Sequence, residues 1–205
     1  YDAGEEHDLA YIAMEFLKGH DLVPYTKADN LLPLETVVEM IAKVADALAY
    51  AHTQNVVHRD IKPANIMYDA ATNTPKVTDF GIARITDSSK TKTGVVLGTP
   101  SFMSPEQLAG QKISGSSDLF SLGVMLYQLL SGTLPFEGDS MAQLMYRIAN
   151  DEPTNILTLK PELPICVVTI VNKMLAKEVA DRYSNGAQIA EQLRMCLASL
   201  KENNF

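Results

Sequence analysis

The sequence is poor in cysteine, in basic residues and in long apolar runs, and each shortage argues against a class of protein. Its 205 residues hold 17 Lys and Arg against 25 Asp and Glu, a net charge of −8, and non-specific nucleic-acid binding needs a basic face instead. The richest apolar run, at 122–130, falls well short of the roughly 18 residues that a membrane span needs. Cys166 and Cys196 form no CxxC pair, which predicts reduced, buried thiols in a cytosolic-type protein.

What is present is the composition of a globular protein, 46% hydrophobic and 20% charged. The apolar and aromatic run at 9–17 predicts a strand, and the turn-like segment before it predicts a hairpin. Apolar side chains recur every three or four positions over 34–53, which predicts an amphipathic helix that ends near Asn55.

The rest of the chain changes from short β-like pieces to helices. Residues 56–58 and 66–68 have the apolar character of two short strands on either side of a charged loop. A long stretch without periodicity, 82–117, is of the kind that is functional or disordered. The helical patterns that follow lie at 118–132, 140–151, 163–176 and 184–200.

The charged loop within "VVHRDIKPANIM", residues 56–67, is either an ordinary solvated turn or a chemical site. Phosphoryl transfer needs hard oxygen ligands for metal ions, a carboxylate that orients the attacking hydroxyl, and a cation for the transferred group. Asp60 supplies a carboxylate, Lys62 a cation and Asn65 an amide oxygen, and Asp79 in "DFG" is a second candidate metal ligand. Side-chain capping of loop backbone by Asp60, Asn65 and Asp79 is the competing interpretation.

Five motifs in this order resemble the eukaryotic-like protein kinase family, closest to the bacterial Hanks-type serine/threonine kinases. They are "HRDIKPAN" at 58–65, "DFG" at 79–81, "GTPSFMSPE" at 98–106, "DLFSLG" at 118–123 and "DRY" at 181–183. The resemblance spans essentially the whole chain and implies an α+β, protein kinase-like fold with a mostly helical C-lobe. Residues 1–17 would be the remnant of the N-lobe and the start of the hinge, and 18–205 the rest of the hinge and the C-lobe.

The resemblance implies a role for each charged residue of the loop and for two residues beyond it. Asp60 would be the catalytic base that holds the substrate hydroxyl, and Lys62 would reach the γ-phosphate. Asn65 and Asp79 would hold two magnesium ions, and Thr99 would bridge the base and the lysine. ATP and Mg²⁺ are the implied cofactors.

The implied nucleotide pocket lies along the segment "AMEFLKG" and beneath it. Met14 would be the gatekeeper, and the backbone of Glu15 and Leu17 would pair with adenine. Asp21 would bind the ribose, and Met67 would form the pocket floor. On the residues alone, a Met in an apolar run is more often core filling.

Regulation is implied by the loop at 82–97. Thr91 and Thr93 occupy the place at which bacterial relatives autophosphorylate, and Arg59 next to Asp60 would be neutralised by such a phosphate. A simply flexible polar loop is the alternative for these threonines.

Other motif residues are implied to be structural supports. His58 would pack with Phe80, which Gly81 follows in the motif. Glu106 and Arg182 would form a buried ion pair, and Asp118 would cap the central helix and hydrogen-bond the backbone of the catalytic loop.

Three parts of the family pattern do not occur in this sequence: the glycine-rich loop, the strand lysine and the helix glutamate that pairs with it. The prediction is therefore an N-terminally truncated kinase domain, itself inactive, from a complete protein that phosphorylates Ser and Thr residues of proteins. Such a protein would be cytoplasmic unless regions outside this segment tether it to a membrane. Its partners would be ATP and protein substrates, without nucleic acid, and it would dimerise for autophosphorylation.

Three other functions remain open at this point. A pseudokinase or nucleotide-binding scaffold without turnover would keep the fold, and the presence of Asp60, Asn65 and Asp79 argues against it. A small-molecule phosphotransferase would share the catalytic carboxylate but lack the "GTPSFMSPE" segment. A helical interaction domain would leave the charged loop unexplained.

Overall fold

The computed structural model describes residues 2–6, 9–80 and 100–202. Its first part is an antiparallel hairpin of β1 (Asp2–Glu6) and β2 (Leu9–Ala13). The predicted hairpin is therefore confirmed, but the predicted strand was too long. Residues 14–17 belong instead to an irregular connection that leads into the rest of the fold.

A second antiparallel sheet has the order β3-β4-β5, formed by His20–Asp21, Ile66–Asp69 and Thr74–Val77. The chain enters β3 through Gly19, whose φ is +95° and where an added Cβ would lie 2.0 Å from the carbonyl oxygen of Tyr68. Only glycine tolerates both the left-handed backbone and this close approach. The irregular connection is thereby held directly against β4.

The strand predicted at 56–58 is wrong, because these residues are irregular in the structure. The backbone N–H groups of His58 and Arg59 donate to the carboxylate of Asp118. Donors used in this way are not available to a neighbouring strand.

Helices form the body of the molecule, as the periodicity predicts. Among the described residues the α-helices are α1 (Leu34–Thr53), α2 (Pro105–Leu108), α3 (Gly115–Ser131), α4 (Met141–Asn150), α5 (Ile165–Met174) and α6 (Gly186–Glu202). Asn55 follows α1 with a φ of 58°, the left-handed conformation predicted for it.

The central helix α3 begins three residues earlier than predicted, and this corrects the role of Asp118 as a cap. Ser114 is the N-cap, and its side chain accepts a hydrogen bond from the backbone N–H of Ser116. Asp118 lies within the first turns and points its carboxylate at the charged loop instead.

The core surrounds α3, which is buried at every position from Ser117 to Ser131 except Gln128. Helices α1 and α5 contact α3, and α6 contacts both α1 and α5. The Ser117–Ser131 stretch is apolar on nearly all sides, which is why it lies at the centre of the core. None of the helices in the described ranges is long and apolar enough to cross a membrane.

The cysteines correct a further expectation. Cys166 on α5 and Cys196 on α6 are joined as a disulfide rather than being two reduced thiols.

Candidate active site

His58 organises the start of the charged loop from a buried position, with 1% of its surface exposed. Its Nε2 atom donates to the carbonyl oxygen of Thr78 at 2.7 Å, and its Nδ1 atom accepts the backbone N–H of Asp60 at 3.3 Å. One nitrogen donates and the other accepts, which is the pattern of a neutral imidazole. The His58 ring also meets the ring of Phe80 edge-on at 4.7 Å between centroids, so the expected packing of these two residues is present.

Asp60 lies between two polar neighbours from the same loop. Its Oδ2 atom is 2.7 Å from Lys62 Nζ. The Asn65 side-chain nitrogen donates to the Asp60 carbonyl oxygen at 2.7 Å and to Oδ2 at 3.0 Å. The Asp60 and Lys62 side chains are both partly exposed, so an incoming group can reach them.

Asp79 is connected to this loop through Thr78. The Thr78 backbone N–H and hydroxyl donate to the Asn65 carbonyl oxygen at 2.9 and 3.1 Å, and the same hydroxyl is 3.5 Å from Asp79 Oδ2. Asp79 itself has a φ of 59°, an uncommon left-handed conformation for a non-glycine residue. A continuous series of hydrogen bonds thus links Asp60, Asn65, Thr78 and Asp79.

The donor set is suited to a hard cation. Both N–H groups of the Asn65 carboxamide are used on Asp60, so a metal ion at Asn65 must bind through Oδ1. No cluster of three or more His, Cys, Asp or Glu side chains with metal-site geometry occurs within the described ranges. The Asp79 carboxylate and the Asn65 amide oxygen are ligands that would suit Mg²⁺, which completes its shell with water and phosphate oxygens.

Asp118 supports the loop from below. Its carboxylate accepts the backbone N–H groups of His58 at 2.8 Å and Arg59 at 2.7 Å, and His52 Nε2 lies 2.8 Å from Oδ2. At Gly115, an added Cβ would lie 2.6 Å from the His52 ring, so glycine makes room for the imidazole. His52 was not predicted from the sequence, although a histidine in the last turn of an otherwise apolar-faced helix was an available signal.

The ion pair of Glu106 and Arg182 is present and bidentate. The two guanidinium nitrogens lie 2.8 and 2.9 Å from the two carboxylate oxygens, and both residues are buried. Burial by itself would raise the pKa of Glu106, but hydrogen bonds from Arg182 and Ser117 outweigh it and lower the pKa to about 2. Glu106 is therefore held as a carboxylate at neutral pH.

Four of the predicted nucleotide residues, Met14, Glu15, Leu17 and Met67, line two neighbouring cavities, whereas Asp21 lines neither. The larger, of about 720 Å³, is bounded by Met14, Glu15 and Leu17 on one side and by Thr78 and Asp79 on the other. Both Glu15 and Leu17 also line the smaller cavity, of about 220 Å³, together with Met67 and Lys76. The residues that line these cavities do not include Asp60 or Asn65.

The irregular connection at residues 14–17 is held to the second sheet by an ion pair, and β3 follows it in the chain. Glu15 forms an ion pair with Lys76 of β5, a contact that the sequence did not indicate. Asp21 pairs with Met67 across β3 and β4, and its side chain accepts the backbone N–H of Val23 at 3.0 Å. The predicted ribose residue and the predicted pocket floor are thus direct neighbours.

Four predicted residues lie outside the described residues: Gly81, Thr91, Thr93 and Thr99. Their predicted roles in the motif, in regulation and beside the base stay predictions.

Comparisons with known proteins identify the family. The family model described as "Protein kinase domain" matches residues 1–195. The chain is 39% identical over 199 residues to the serine/threonine-protein kinase PknB of Mycobacterium leprae, a match that covers 94% of this chain and 32% of that protein. It is 36% identical over 208 residues to PrkC of Bacillus subtilis, covering 100% of this chain and 32% of that protein.

Solved structures show the same fold. The kinase domain of Mycobacterium tuberculosis PknI, crystallised as a point mutant, superposes with a TM-score of 0.71 at 24% identity, over 96% of this chain and 69% of that one. Rad53 1–466 in complex with AMP-PNP superposes with a TM-score of 0.79 at 24% identity, over 93% of this chain and 48% of that one. The hairpin, the small sheet and the helical body are therefore parts of a protein kinase fold.

The chain spans about a third of the length of the two curated bacterial relatives. Within that span, the family model extends over almost every residue, including the charged loop and the Glu106–Arg182 pair. The chain belongs to the protein kinase family.

Proposed function

We propose that the complete protein transfers the γ-phosphoryl group of ATP to Ser and Thr hydroxyls of proteins, with Asp60 as the catalytic base. The observation that carries this proposal is the hydrogen-bonded series from Asp60 through Asn65 and Thr78 to Asp79. It connects two carboxylates and one carboxamide that lie up to nineteen positions apart in the chain, and these are the groups that a base and two metal ligands require. The curated relatives that match over this span are named serine/threonine-protein kinases.

Each residue of the loop has a separate task in this proposal. Asp60 orients the substrate hydroxyl and accepts its proton, while Lys62, 2.7 Å from Asp60, interacts with the negative charge of the transferred group. Asn65 and Asp79 would hold Mg²⁺, which neutralises the phosphate oxygens when bound. Thr99 would bridge Asp60 and Lys62.

Nucleotide binding is assigned to the hinge side. The backbone of Glu15 and Leu17 would pair with adenine beside the gatekeeper Met14, with Met67 beneath the base and Asp21 at the ribose. The cavities beside the hinge support this assignment, since Glu15 and Leu17 border both of them. In support, Asp21 pairs with Met67 across β3 and β4, so the residues proposed for the ribose and for the adenine are neighbours in the sheet.

Regulation by phosphorylation is proposed at Thr91 and Thr93. Arg59 supports it, because its Nε atom is buried and has no hydrogen-bond partner among the described residues. A buried donor left unsatisfied costs about 1–3 kcal/mol, so an acceptor such as a phosphate would be stabilising there. The proposed partner in this step is a second copy of the complete protein, which would dimerise with the first and phosphorylate these threonines.

The chain by itself is proposed to be inactive, because the glycine-rich loop, the strand lysine and the helix glutamate do not occur in it. Large apolar side chains exposed around the larger cavity support this assignment. Tyr50 is 71% exposed and Met14 57%, and Val56 and Phe80 are also exposed. Contiguous apolar surface of this kind marks a place where another part of a protein packs.

The decisive experiment replaces the proposed base in the full-length protein. Asp60→Asn keeps the size of the side chain and one acceptor oxygen but removes its charge. Labelling of a generic protein substrate with radioactive ATP and Mg²⁺ is expected to fall by about 100- to 10,000-fold. Asp151→Asn, at an exposed carboxylate beyond α4, is the matched control and should label normally.

Unchanged labelling by Asp60→Asn would refute the assignment of the base. The other candidate is a pseudokinase that binds nucleotide without turnover, and exposure of Asp60 and Lys62 to solvent does not by itself distinguish the two. A pseudokinase would bind ATP but label nothing even before substitution. The same assay therefore separates the two functions.

A further inference from the structure

The disulfide between Cys166 and Cys196 joins two helices that lie far apart in the sequence. Cys166 is in the first turn of α5 and Cys196 is in the second half of α6, with a sequence separation of 30 and a Cα–Cα distance of 5.8 Å. These are the only two cysteines of the chain. Their pairing is therefore unique within it.

The segment closed by this bond carries Arg182. The Arg182 side chain donates to both oxygens of Glu106 and to the carbonyl oxygens of Ala176 and Lys177. Tyr183, the next residue, lies under the ammonium group of Lys173 at 4.6 Å. The disulfide thus closes a covalent ring around the residue that anchors α2, the helix that carries Glu106.

The two cysteines differ in their exposure to solvent. Cys196 is 4% exposed, whereas Cys166 is only partly buried and stands next to Ile165, which is 67% exposed. An external reagent therefore reaches the Cys166 side of the pair first. Buried thiols react slowly because the thiolate is the reactive form and burial disfavours it.

We propose that Cys166 and Cys196 form a reversible redox modification site whose reagents are small-molecule thiols and disulfides. In the oxidising direction, the Cys166 thiolate attacks one sulfur of a small disulfide, which forms a mixed disulfide and releases one small thiol. The Cys196 thiolate then attacks the Cys166 sulfur and displaces the second small thiol. Two protein thiols lose two electrons and two protons, and the small disulfide gains them.

Reduction runs the same exchange backwards and removes the covalent ring from the unfolded chain. The loop-closure entropy of about 30 residues corresponds to a fall in melting temperature of about 7–14 °C for a domain of this size. The backbone amides around Arg182 and Glu106 flank the ion pair between these two residues, and Arg182 lies within the disulfide loop. Their hydrogen exchange through unfolding is expected to accelerate on reduction.

The test compares the full-length protein after treatment with oxidised glutathione and after treatment with a phosphine reductant. Peptide mapping without reduction should show a linked peptide pair containing Cys166 and Cys196 only in the oxidised sample. The melting temperature of the kinase domain should drop by the amount given above on reduction. The double variant Cys166→Ser with Cys196→Ser should melt like the reduced protein and respond to neither reagent.

Single variants test the order of attack. In Cys196→Ser the reaction should stop at a glutathione adduct on Cys166, whereas Cys166→Ser should leave Cys196 unmodified in the folded protein. Free thiols at both positions after oxidation would overturn the proposal, as would melting temperatures within about 2 °C in the two redox states. Because no readout requires phosphoryl transfer, this result is independent of the function proposed above.

Discussion

Replacing Arg182 by methionine should destabilise the protein severely, because it takes the cationic partner away from a buried carboxylate. The substitution removes both bonds to Glu106 and leaves the carbonyl oxygens of Ala176 and Lys177 without their donor. Breaking a buried ion pair by removing one partner costs about 3–5 kcal/mol. For about 200 residues this corresponds to a fall in melting temperature of roughly 6–20 °C.

The pH dependence of the free energy of unfolding tests the role of Arg182 more sharply than the size of the loss at one pH. In the wild type the pKa of Glu106 is about 2, below its ordinary value of 4.5. The folded state therefore gains stability above pH 4.5 and loses it as pH falls towards 2, a contribution of about 3 kcal/mol. In Arg182→Met the burial remains without the cation, so the pKa of Glu106 rises above 4.5, and stability is instead lost as pH increases above 4.5.

The assay is urea denaturation followed by circular dichroism at pH 4.5 and at pH 7. Arg194→Met is the matched control, because Arg194 forms an exposed ion pair with Asp46 that should contribute no more than about 1 kcal/mol. A second control, Glu106→Leu with Arg182→Met, removes both charges and should recover part of the loss. If Arg182→Met cost no more than Arg194→Met, or kept the wild-type pH slope, the buried pair would not be the anchor of α2.

Three further predictions concern His52, Lys177 and the threonines of the loop at 82–97. His52→Ala should lower the free energy of unfolding by about 1.5–3 kcal/mol, because it removes a hydrogen bond to the Asp118 carboxylate. His52→Gln keeps a side-chain donor and should retain most of the wild-type stability. Equal losses in the two variants would contradict the role of this hydrogen bond. Burial lowers the pKa of Lys177 to about 8, so the stability of the wild type should rise between pH 8 and 10 relative to that of Lys177→Met. Parallel pH profiles for the two proteins would refute this. Thr91→Ala with Thr93→Ala should lower labelling by the full-length protein, and unchanged labelling without a loop phosphopeptide in mass spectrometry would discard the regulatory proposal.

The helices were predictable because each has a strong periodic signal of its own. Helix α1 occupies the predicted span Leu34–Thr53, since its apolar stripe and its Asn55 stop are both local features. The start of α3 was missed by three residues because Asp118 looked like a cap. The actual cap, Ser114, accepts from the backbone N–H of Ser116, and the apolar pattern begins only after that first turn.

The strand predicted at 56–58 failed for a reason outside its own residues. Apolar character predicted pairing, but the N–H groups of His58 and Arg59 are taken by Asp118, about sixty positions later in the chain. Short apolar segments are ambiguous in this way, because their hydrogen-bond partners are decided by tertiary contacts.

Within the site, the residue types were readable but several of their contacts were not. The motif spacing indicated Asp60, Asn65 and Asp79, whereas only the fold shows that Thr78 connects them. His52 contacts Asp118, and Lys76 pairs with Glu15 of the irregular connection. Neither contact was predicted. Contacts of this kind join separate elements, so no local pattern announces them.

By itself the sequence determined the helical body, the charged loop and the identity of its acidic and amide groups, because these depend on local periodicity and on side-chain chemistry. The tertiary structure alone decided which groups meet: the Asp118 carboxylate beneath the loop, the orientation of Arg182 towards Glu106, and the junction of Cys166 with Cys196. These contacts depend on how the helices pack around α3. Packing joins residues that are distant in the sequence, and no local sequence pattern indicates such pairs.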